Sequence, residues 1–488
     1  LIEPEVLSSC AKALVNYGIK EGLAEELDRW VLTNSIIGSL ELPDPVDGEP
    51  IKDEMEAIAL LHRYAQETGH HWGELPEEKF VGRVMGLLTP SNGAMARDFW
   101  AIMGDKGPVE ATQWLYRISA ATKDVRLDLA SKDLRWTVST SYGDLQMTIN
   151  RSKPEKDPKD IAAPKTGKSY PKCLLCPENA GFWAKPGHPE RSNHRIMPIS
   201  LDGEEWFLQY SPYVYYHQHC IVFSKEHRPM AVGTRTVPRI LDFLDQFPHF
   251  FLGSNAALPI VGGSILDHDH FQGGNWSFPI QSASVRRSWT EGSITAEALV
   301  WPMATLRIRS KNRQEIERIA TSAIEGWKSY DDPEWEIEKE HNSVSVIGRK
   351  VKDSYEIDMV LRNNRTSEEH PDGIFHIRPS RHHIKKENIG LIEAMGLAVL
   401  PGRLSREMEP LLNALSGENP STPESWPHRE WAESLLERHG RANSIEKSKE
   451  IVEQEIGYVF MDALRDCSVY PEETGTEGLD RFIDTIIS

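Results

Sequence analysis

Between Leu258 and Gly274 the chain reads Leu-Pro-Ile-Val-Gly-Gly-Ser-Ile-Leu-Asp-His-Asp-His-Phe-Gln-Gly-Gly. In an extended strand His268, His270 and Gln272 share one face. A neutral imidazole is a good nucleophile at phosphorus when a hydrogen bond fixes its other nitrogen. A carboxamide two residues on can donate to a phosphoryl oxygen without acting as an acid. Gly262 and Gly263, with Ser264, let a backbone approach a phosphate closely with its N–H groups. The competing reading is a buried strand with polar residues at its end.

A second cluster has metal-ligand spacing. Cys173-Leu174-Leu175-Cys176 would let two thiolates grip one ion at ~2.3 Å. His227, in Ser224-Lys225-Glu226-His227, is a candidate third ligand, and His219 competes with it. The alternative is a thiol pair without metal. The other cysteines are Cys10, Cys220 and Cys467. An odd, scattered set argues against a disulfide framework and for the reducing cytoplasm.

These groups need a scaffold. The 488 residues are enough for two or three packed units. Residues 1 to about 130 read as helical, with Leu7, Ala11, Leu14 and Val15 at helical spacing, and likewise Ala57, Leu60, Leu61 and Tyr64. The period changes after Asp133. Trp136–Tyr142 and Leu145–Asn150 read as strands joined by a turn at Gly143-Asp144. A Lys- and Pro-rich loop follows, from Ser152 to Lys168. Trp206–Tyr210 and Cys220–Phe223 read as strands, and Pro238–Phe247 as a helix with its Pro in the first turn. The mixture repeats, with strands at Ala304–Ile308, Ser343–Ile347 and Ile357–Leu361 and a helix over Asn312–Lys328. The tail from about 405 is helical and charged. The expected class is α+β, with two similar antiparallel halves and helical extensions at both ends.

The net charge of −19 argues against broad nucleic-acid binding. No apolar run approaches the ~18 residues of a membrane span. The start, Leu1-Ile2-Glu3-Pro4-Glu5, has no basic region followed by an apolar stretch, so no secretory signal is expected.

The nucleophile stretch resembles the active-site signature of class II galactose-1-phosphate uridylyltransferases, a family of the histidine-triad superfamily. The resemblance extends over nearly the whole chain. It includes Thr148-Ile149-Asn150, Ser152 to Lys159, Tyr170 to Cys176, Gln209 to Tyr213, Phe247 to Phe251 and His382 to Glu393. It implies a ping-pong reaction in which a uridylyl group moves from UDP-glucose to galactose 1-phosphate. His270 matches the covalent nucleophile and Gln272 the phosphate-contacting Gln. By analogy with class I enzymes, Cys173, Cys176, His227 and His268 would hold a structural zinc. Lys153 and Lys156 match phosphate-contacting positions. Phe207, Gln209, Tyr210 and Tyr213 fall where the family places base and ribose contacts, and Asn255 is a further expected substrate contact. For the hexose, Lys386, Asn388 and Glu393 have suitable donors and acceptors. His376 and Arg378 resemble a degenerate echo of the first half's His-x-His. His382 and His383 could bind phosphate or be exposed. A homodimer is expected by analogy, with small-molecule substrates, no nucleic acid and no membrane.

The expected divisions are a helical region over 1–133, a catalytic half over 134–290, a second half with hexose contacts over 291–404 and a helical region over 405–488. The chain departs from the family pattern near the nucleophile. It has Ala257 for an Asp, Asp267 for a small Ser or Ala, Asn275-Trp276 for Arg-His, and His217-Gln218 for Asn-Glu. A carboxylate at 267 and a missing cation at 275 would both weaken phosphate binding if they face the ligand. Two alternatives therefore stand beside the leading reading. One is a family member with another sugar phosphate. The other is a sugar-nucleotide binder with weak turnover.

Overall fold

A computed structural model describes residues 2–150, 170–185, 187–263, 265–418 and 426–487. The strands are β1 (Leu134–Thr140), β2 (Gly143–Asn150), β3 (Met197–Leu201), β4 (Glu204–Tyr210), β5 (Cys220–Ser224), β6 (Phe251–Ser254) and β7 (His270–Gly274). They continue with β8 (Val285–Glu291), β9 (Ile294–Leu299), β10 (Thr305–Ser310), β11 (Asn342–Val351), β12 (Ser354–Asn363) and β13 (Leu397–Pro401).

Ten of these strands form one sheet in the order β3-β4-β5-β7-β6-β11-β12-β10-β9-β8, and every pairing in it is antiparallel. Each half runs three strands, a helix and two strands. The helices are Thr236–Gln246 and Arg313–Lys328. The halves are thus topological repeats, as the repeated sequence pattern suggests, but they share one sheet. They join where β6 pairs with β11, from Phe251↔Arg349 to Ser254↔Val346. β1 and β2 form a hairpin in a separate three-stranded sheet with β13. The loop between them is Ser141-Tyr142, one step before the turn expected from Gly143-Asp144. Tyr142 is buried there, and Gly143, at φ 96°, opens β2 opposite Thr140.

Alternation along the strands gives the large sheet two faces of different character, one of them apolar. On one face Trp206, Leu208, Val222, Leu252, Phe271, Val344 and Val346 pack against both helices. The N-terminal helices bury Leu7, Leu14, Leu61, Phe80 and Phe99 in the same core. Their boundaries follow local chemistry. Asp53 caps the helix Glu54–Thr68 by accepting from the N–H groups of Met55 and Glu56, and Gly69 ends it in the left-handed region at φ 71°. The helix Thr236–Gln246 reaches the seam between the halves because Gly348 has no side chain. A Cβ there would stand 2.3 Å from Ile240 Cγ2.

The other face carries the chemistry. Cross-strand pairing puts Gln272, Gly253, Ile347, Asp358, Arg307 and Glu297 in one row across the sheet. In the second half this face is an ion lattice. Arg307 binds Asp358 through Nε at 2.6 Å and Nη2 at 2.9 Å, and Arg349 reaches the same carboxylate at 2.8 Å. Glu356 accepts from Arg349 and Arg309, and Arg309 also reaches Glu297 at 3.0 Å. Beyond it a second core gathers Ile347, Val360, Leu391, Val399 and the C-terminal helix residues Ile456 and Phe460.

Candidate active site and metal centre

The first half's face is built around β7. His270 is buried at the start of this strand, and its Nδ1 lies 2.8 Å from the carbonyl of His268. A carbonyl only accepts, so Nδ1 carries the proton and Nε2 keeps its lone pair. No other described residue hydrogen-bonds this ring. Burial pushes its pKa down to about 4, so the imidazole is neutral at pH 7. These are the properties a nitrogen nucleophile needs. Gln272 lies two residues on and on the same face.

Asp269, between the two histidines, points the other way. Its carboxylate meets Arg228 Nε at 3.2 Å and Arg239 Nη1 at 3.3 Å. Both guanidinium groups lie over Trp206 and share Glu204. Burial raises the Asp269 pKa against the pull of these arginines. The backbone is held as well, with Asp269 N–H donating to Arg228 O at 2.7 Å and Ser224 N–H to Asp269 O at 3.0 Å. The strand that His270 opens is therefore clamped from behind. Sequence reading missed this clamp. Its signal was parity: a charged residue between two site residues of one face must find a partner on the other.

The glycine-rich approach turns back on the site. A Cβ on Gly262 would stand 2.2 Å from Ala256 O, and one on Gly263 would stand 2.8 Å from Asn255 Nδ2. These glycines permit close loop packing here. Asn255 is buried, and its Oδ1 accepts from Leu391 N–H at 2.7 Å. It thus ties the loop to the segment of the second half expected to hold the hexose. Gly253 makes the same contact possible, since a Cβ there would stand 2.8 Å from Leu391 Cδ2. Ser264, Lys153 and Lys156 lie outside the described residues.

Cys173, Cys176, His227 and His268 bring one ligand atom each within 4.8 Å of one another. Cys173 Sγ is 3.5 Å from Cys176 Sγ and 3.2 Å from His268 Nδ1, and Cys176 Sγ is 3.3 Å from His227 Nδ1. Ligands at ~2.0–2.3 Å around one tetrahedral ion stand ~3.3–3.8 Å apart, so this set could hold a metal. His268 Nε2 donates to Ser224 O at 2.8 Å, which leaves Nδ1 to face the thiols. Burial pushes the Cys173 thiol up to about 12, so a thiolate there needs a cation beside it. His219, the competitor for the third position, is not in this cluster.

Two stretches of the chain, residues 26–229 and 243–416, match the N-terminal and C-terminal domain models of galactose-1-phosphate uridyl transferase. A galactose-1-phosphate uridylyltransferase of Caldanaerobacter subterraneus subsp. tengcongensis is 40% identical, over 97% of this chain and 96% of its own. Those of Bacillus subtilis and Halalkalibacterium halodurans are each 41% identical over 97% of this chain, and over 96% and 98% of their own. The chain belongs to the galactose-1-phosphate uridylyltransferase family. A solved structure, the yeast Ap4A phosphorylase Apa2, aligns over 62% of the chain at a TM-score of 0.30 and 13% identity, too distant to inform the site.

The other positions that family resemblance suggests are spread unevenly. Gln209 is on the same face as His270 and Gln272. His194 Nε2 lies 2.9 Å from its Oε1, and Asp124 lies 2.7 Å from His194 Nδ1. Tyr210 points the other way, into the helical core, and its hydroxyl donates to Thr112 O at 2.7 Å. Tyr213 is exposed, and Phe207 packs near Phe223 on the metal side. Glu393 accepts from Gly390 N–H at 2.9 Å and pairs with buried Lys385 at 2.6 Å. Asn388 Oδ1 lies 3.1 Å from His376 Nε2, and Arg378 Nη1 lies 3.2 Å from His370 Nδ1. Lys386 is exposed in the same segment. His383 turns towards His428, Nδ1 to Nδ1 at 2.8 Å, and His382 Nε2 donates to Ile377 O at 3.1 Å.

Asp267 is half-buried, and its charge favours protonation of both His268 and His270. Asn275 is exposed beyond the far end of β7. Five residues of strand separate it from His270 by ~16 Å. The two departures from the family pattern are therefore not one site. No helix among the described residues is long and apolar enough to cross a membrane.

Proposed function

We propose that this chain transfers a uridylyl group from UDP-glucose to galactose 1-phosphate through a covalent intermediate on His270. The observation that carries the reading is the Nδ1–H of His270 donating to the carbonyl of His268, in a chain of this family. Nε2 attacks the α-phosphorus of UDP-glucose. The N–P bond forms as the bond from phosphorus to the oxygen of glucose 1-phosphate breaks, and the electron pair leaves on that oxygen. A phosphomonoester has a second pKa near ~6, so it departs without a proton. A carboxamide at 272 is then sufficient where a general acid is not needed. The Nδ1–H stays on the ring, and the His268 carbonyl stabilises the positive imidazole. An oxygen of galactose 1-phosphate next attacks phosphorus, the N–P bond breaks and His270 is restored.

Gln272 contacts the phosphoryl oxygens. Asn255, Gly262, Gly263 and Ser264 shape the nucleotide side, with Gln209 and the two lysines, and Lys386, Asn388, Glu393 and Arg378 serve the hexose side. Cys173, Cys176, His227 and His268 would hold a zinc ion, whose charge would keep the thiolates ionised and whose bonds would brace the segment leading to His270. The enzyme works as a homodimer in the cytoplasm, where its five free cysteines stay reduced.

Intact mass measurement tests the chemistry. UDP-glucose alone should add one UMP and release glucose 1-phosphate, and galactose 1-phosphate should remove the label. His270→Ala should stay unmodified; labelling of that variant would refute the nucleophile. For the metal, Cys173→Ser should lower both zinc content and Tm. Metal-free protein of full stability would refute the zinc site.

A further inference from the structure

His219 stands just before β5 and is 3% exposed. Its ring stacks on Tyr215 at 5.2 Å and 24°, and lies against Tyr216 at 4.6 Å and 40°. The main chain holds it on both sides. His219 N–H donates to Tyr216 O at 3.2 Å, and Ser211 N–H donates to His219 O at 2.8 Å. Gln218, just before it, is held in the left-handed region at φ 54°, which favours glycine. Tyr216 in turn donates its hydroxyl to Gly273 O at 3.0 Å. These contacts fix the ring beside β7, where Cys220 pairs with Gly273 and Ile221 with Gln272.

So much placement serves a ring whose two nitrogens are both buried and without an aligned hydrogen bond. An unpaired buried polar group destabilises, and a phenylalanine of similar shape would pack there without that cost. Burial pushes the His219 pKa down to about 3, so the ring is neutral and offers one N–H and one lone pair. One side chain besides burial acts on its charge, the carboxamide of Gln272, which favours the protonated ring. An oxygen facing an N–H has this effect.

A glutamine side chain has two nearly isosteric ends. Only one way round presents N–H groups to a phosphoryl oxygen. We propose that His219 is the positioning residue for Gln272: its ring N–H takes Oε1 and so turns the amide nitrogen towards the phosphorus bound at His270. The bond aligns when the nucleotide sugar draws Gln272 into place, since such contacts are often loose before substrate binds. This inference rests on the reading of His270 and Gln272 given above.

The test is a double-mutant cycle on the full-length, metal-loaded protein, read as the single-turnover rate of uridylylation by UDP-glucose. His219→Phe should slow labelling by about 10-fold to 100-fold, as expected for a misoriented donor, with little change in half-saturation by UDP-glucose. Its Tm should be equal or higher. His219→Asn, which restores a side-chain N–H, should recover part of the rate, and it keeps the test available if the Phe variant folds poorly. In a Gln272→Ala background His219→Phe should cost nothing further. A wild-type rate in His219→Phe would overturn the inference, and so would the same fold-loss with and without Gln272. An unlabelled wild type would overturn the transferase reading and this inference with it. A labelled wild type beside a fully active His219→Phe would overturn the inference alone.

Discussion

The two halves of the large sheet have the same topology and opposite chemistry. In one row across the face, Gln272 belongs to the first half and Asp358 and Arg307 to the second. The first half leaves His270 neutral, buried and with Nε2 uncommitted. The second half fills its face with Arg307, Arg309 and Arg349 against Asp358, Glu356 and Glu297, each engaged by the others. A site that reacts must keep bonding capacity in reserve, whereas a face that only holds strands together can use all of it. The repeat thus separates what the fold requires from what chemistry requires.

Substitutions should sharpen that contrast. The largest effect is expected from His270→Ala, which should cut transferase turnover more than about a thousandfold, as loss of a covalent nucleophile does. Its Tm should stay within a few degrees of the parent. In the second half Asp358→Ala should do the reverse. It strands two buried guanidinium groups and should destabilise by about 3–5 kcal/mol in denaturant titrations. Turnover per folded molecule should be unchanged. A large loss of turnover there would mean that the lattice reaches the site.

Acid should separate the halves next. His219 and His249 have pKa values lowered to about 3 and about 4, in both cases by burial. The unfolded chain binds these protons more readily than the folded one. Their contribution is therefore complete above the unfolded value of ~6.5 and is lost as pH falls towards the folded values. Each histidine should add about 1.4 kcal/mol per pH unit to the slope of stability between pH 6 and pH 4. His219→Phe should remove one such slope. Burial would raise the Asp358 pKa, but Arg349 and Arg307 bring it below its usual value. Its contribution is present above ~pH 4 and lost only below it. A lattice variant should therefore leave the slope above pH 4 unchanged.

The smallest effect concerns the acceptor step. Asp267 places a negative charge where its field reaches His270. Asp267→Ser should raise kcat/KM for galactose 1-phosphate by about tenfold, the part of a well-placed electrostatic effect left after screening. Asn275→Arg should add little, because it lies beyond the far end of β7. An equal gain from both variants would show that the strand's far end also faces phosphate.

Much of this was legible in the chain. Short apolar and β-branched runs marked β4, β5, β11 and β12 as strands, because each is buried in the large sheet. The His-x-His-x-Gln spacing and the Cys-x-x-Cys pair identified groups that the fold brings together, since a strand fixes parity without needing a partner. The glycines were legible but their reason was not. Gly262 and Gly263 are small because Ala256 and Asn255 press on them, a contact across the loop that no local pattern encodes. Tyr210 shows the limit of alignment without geometry, since one step along β4 moves it from the site face to the helical core. His219 was visible only as a possible ligand. Its place beside Gln272 depends on how β5 pairs with β7, and that register is set by distant residues.

The seam between the halves also bears on how the chain is made. Strand β7 inserts between β5 and β6, so the completed first half ends on β6 as an edge. All four residues of β6 are buried in the finished protein. Their partner begins only at Asn342. At a synthesis rate of about 5–20 residues per second, this apolar edge waits on the order of 5–20 s on the ribosome before β11 can cover it. An uncovered edge of that kind is a template for pairing with another chain. A nascent chain stopped between Ser254 and Asn342 should therefore self-associate or recruit a chaperone. One that has passed Asn363, so that β12 can cover β11 in turn, should not, and the seam that unites the two halves is also a risk in their assembly.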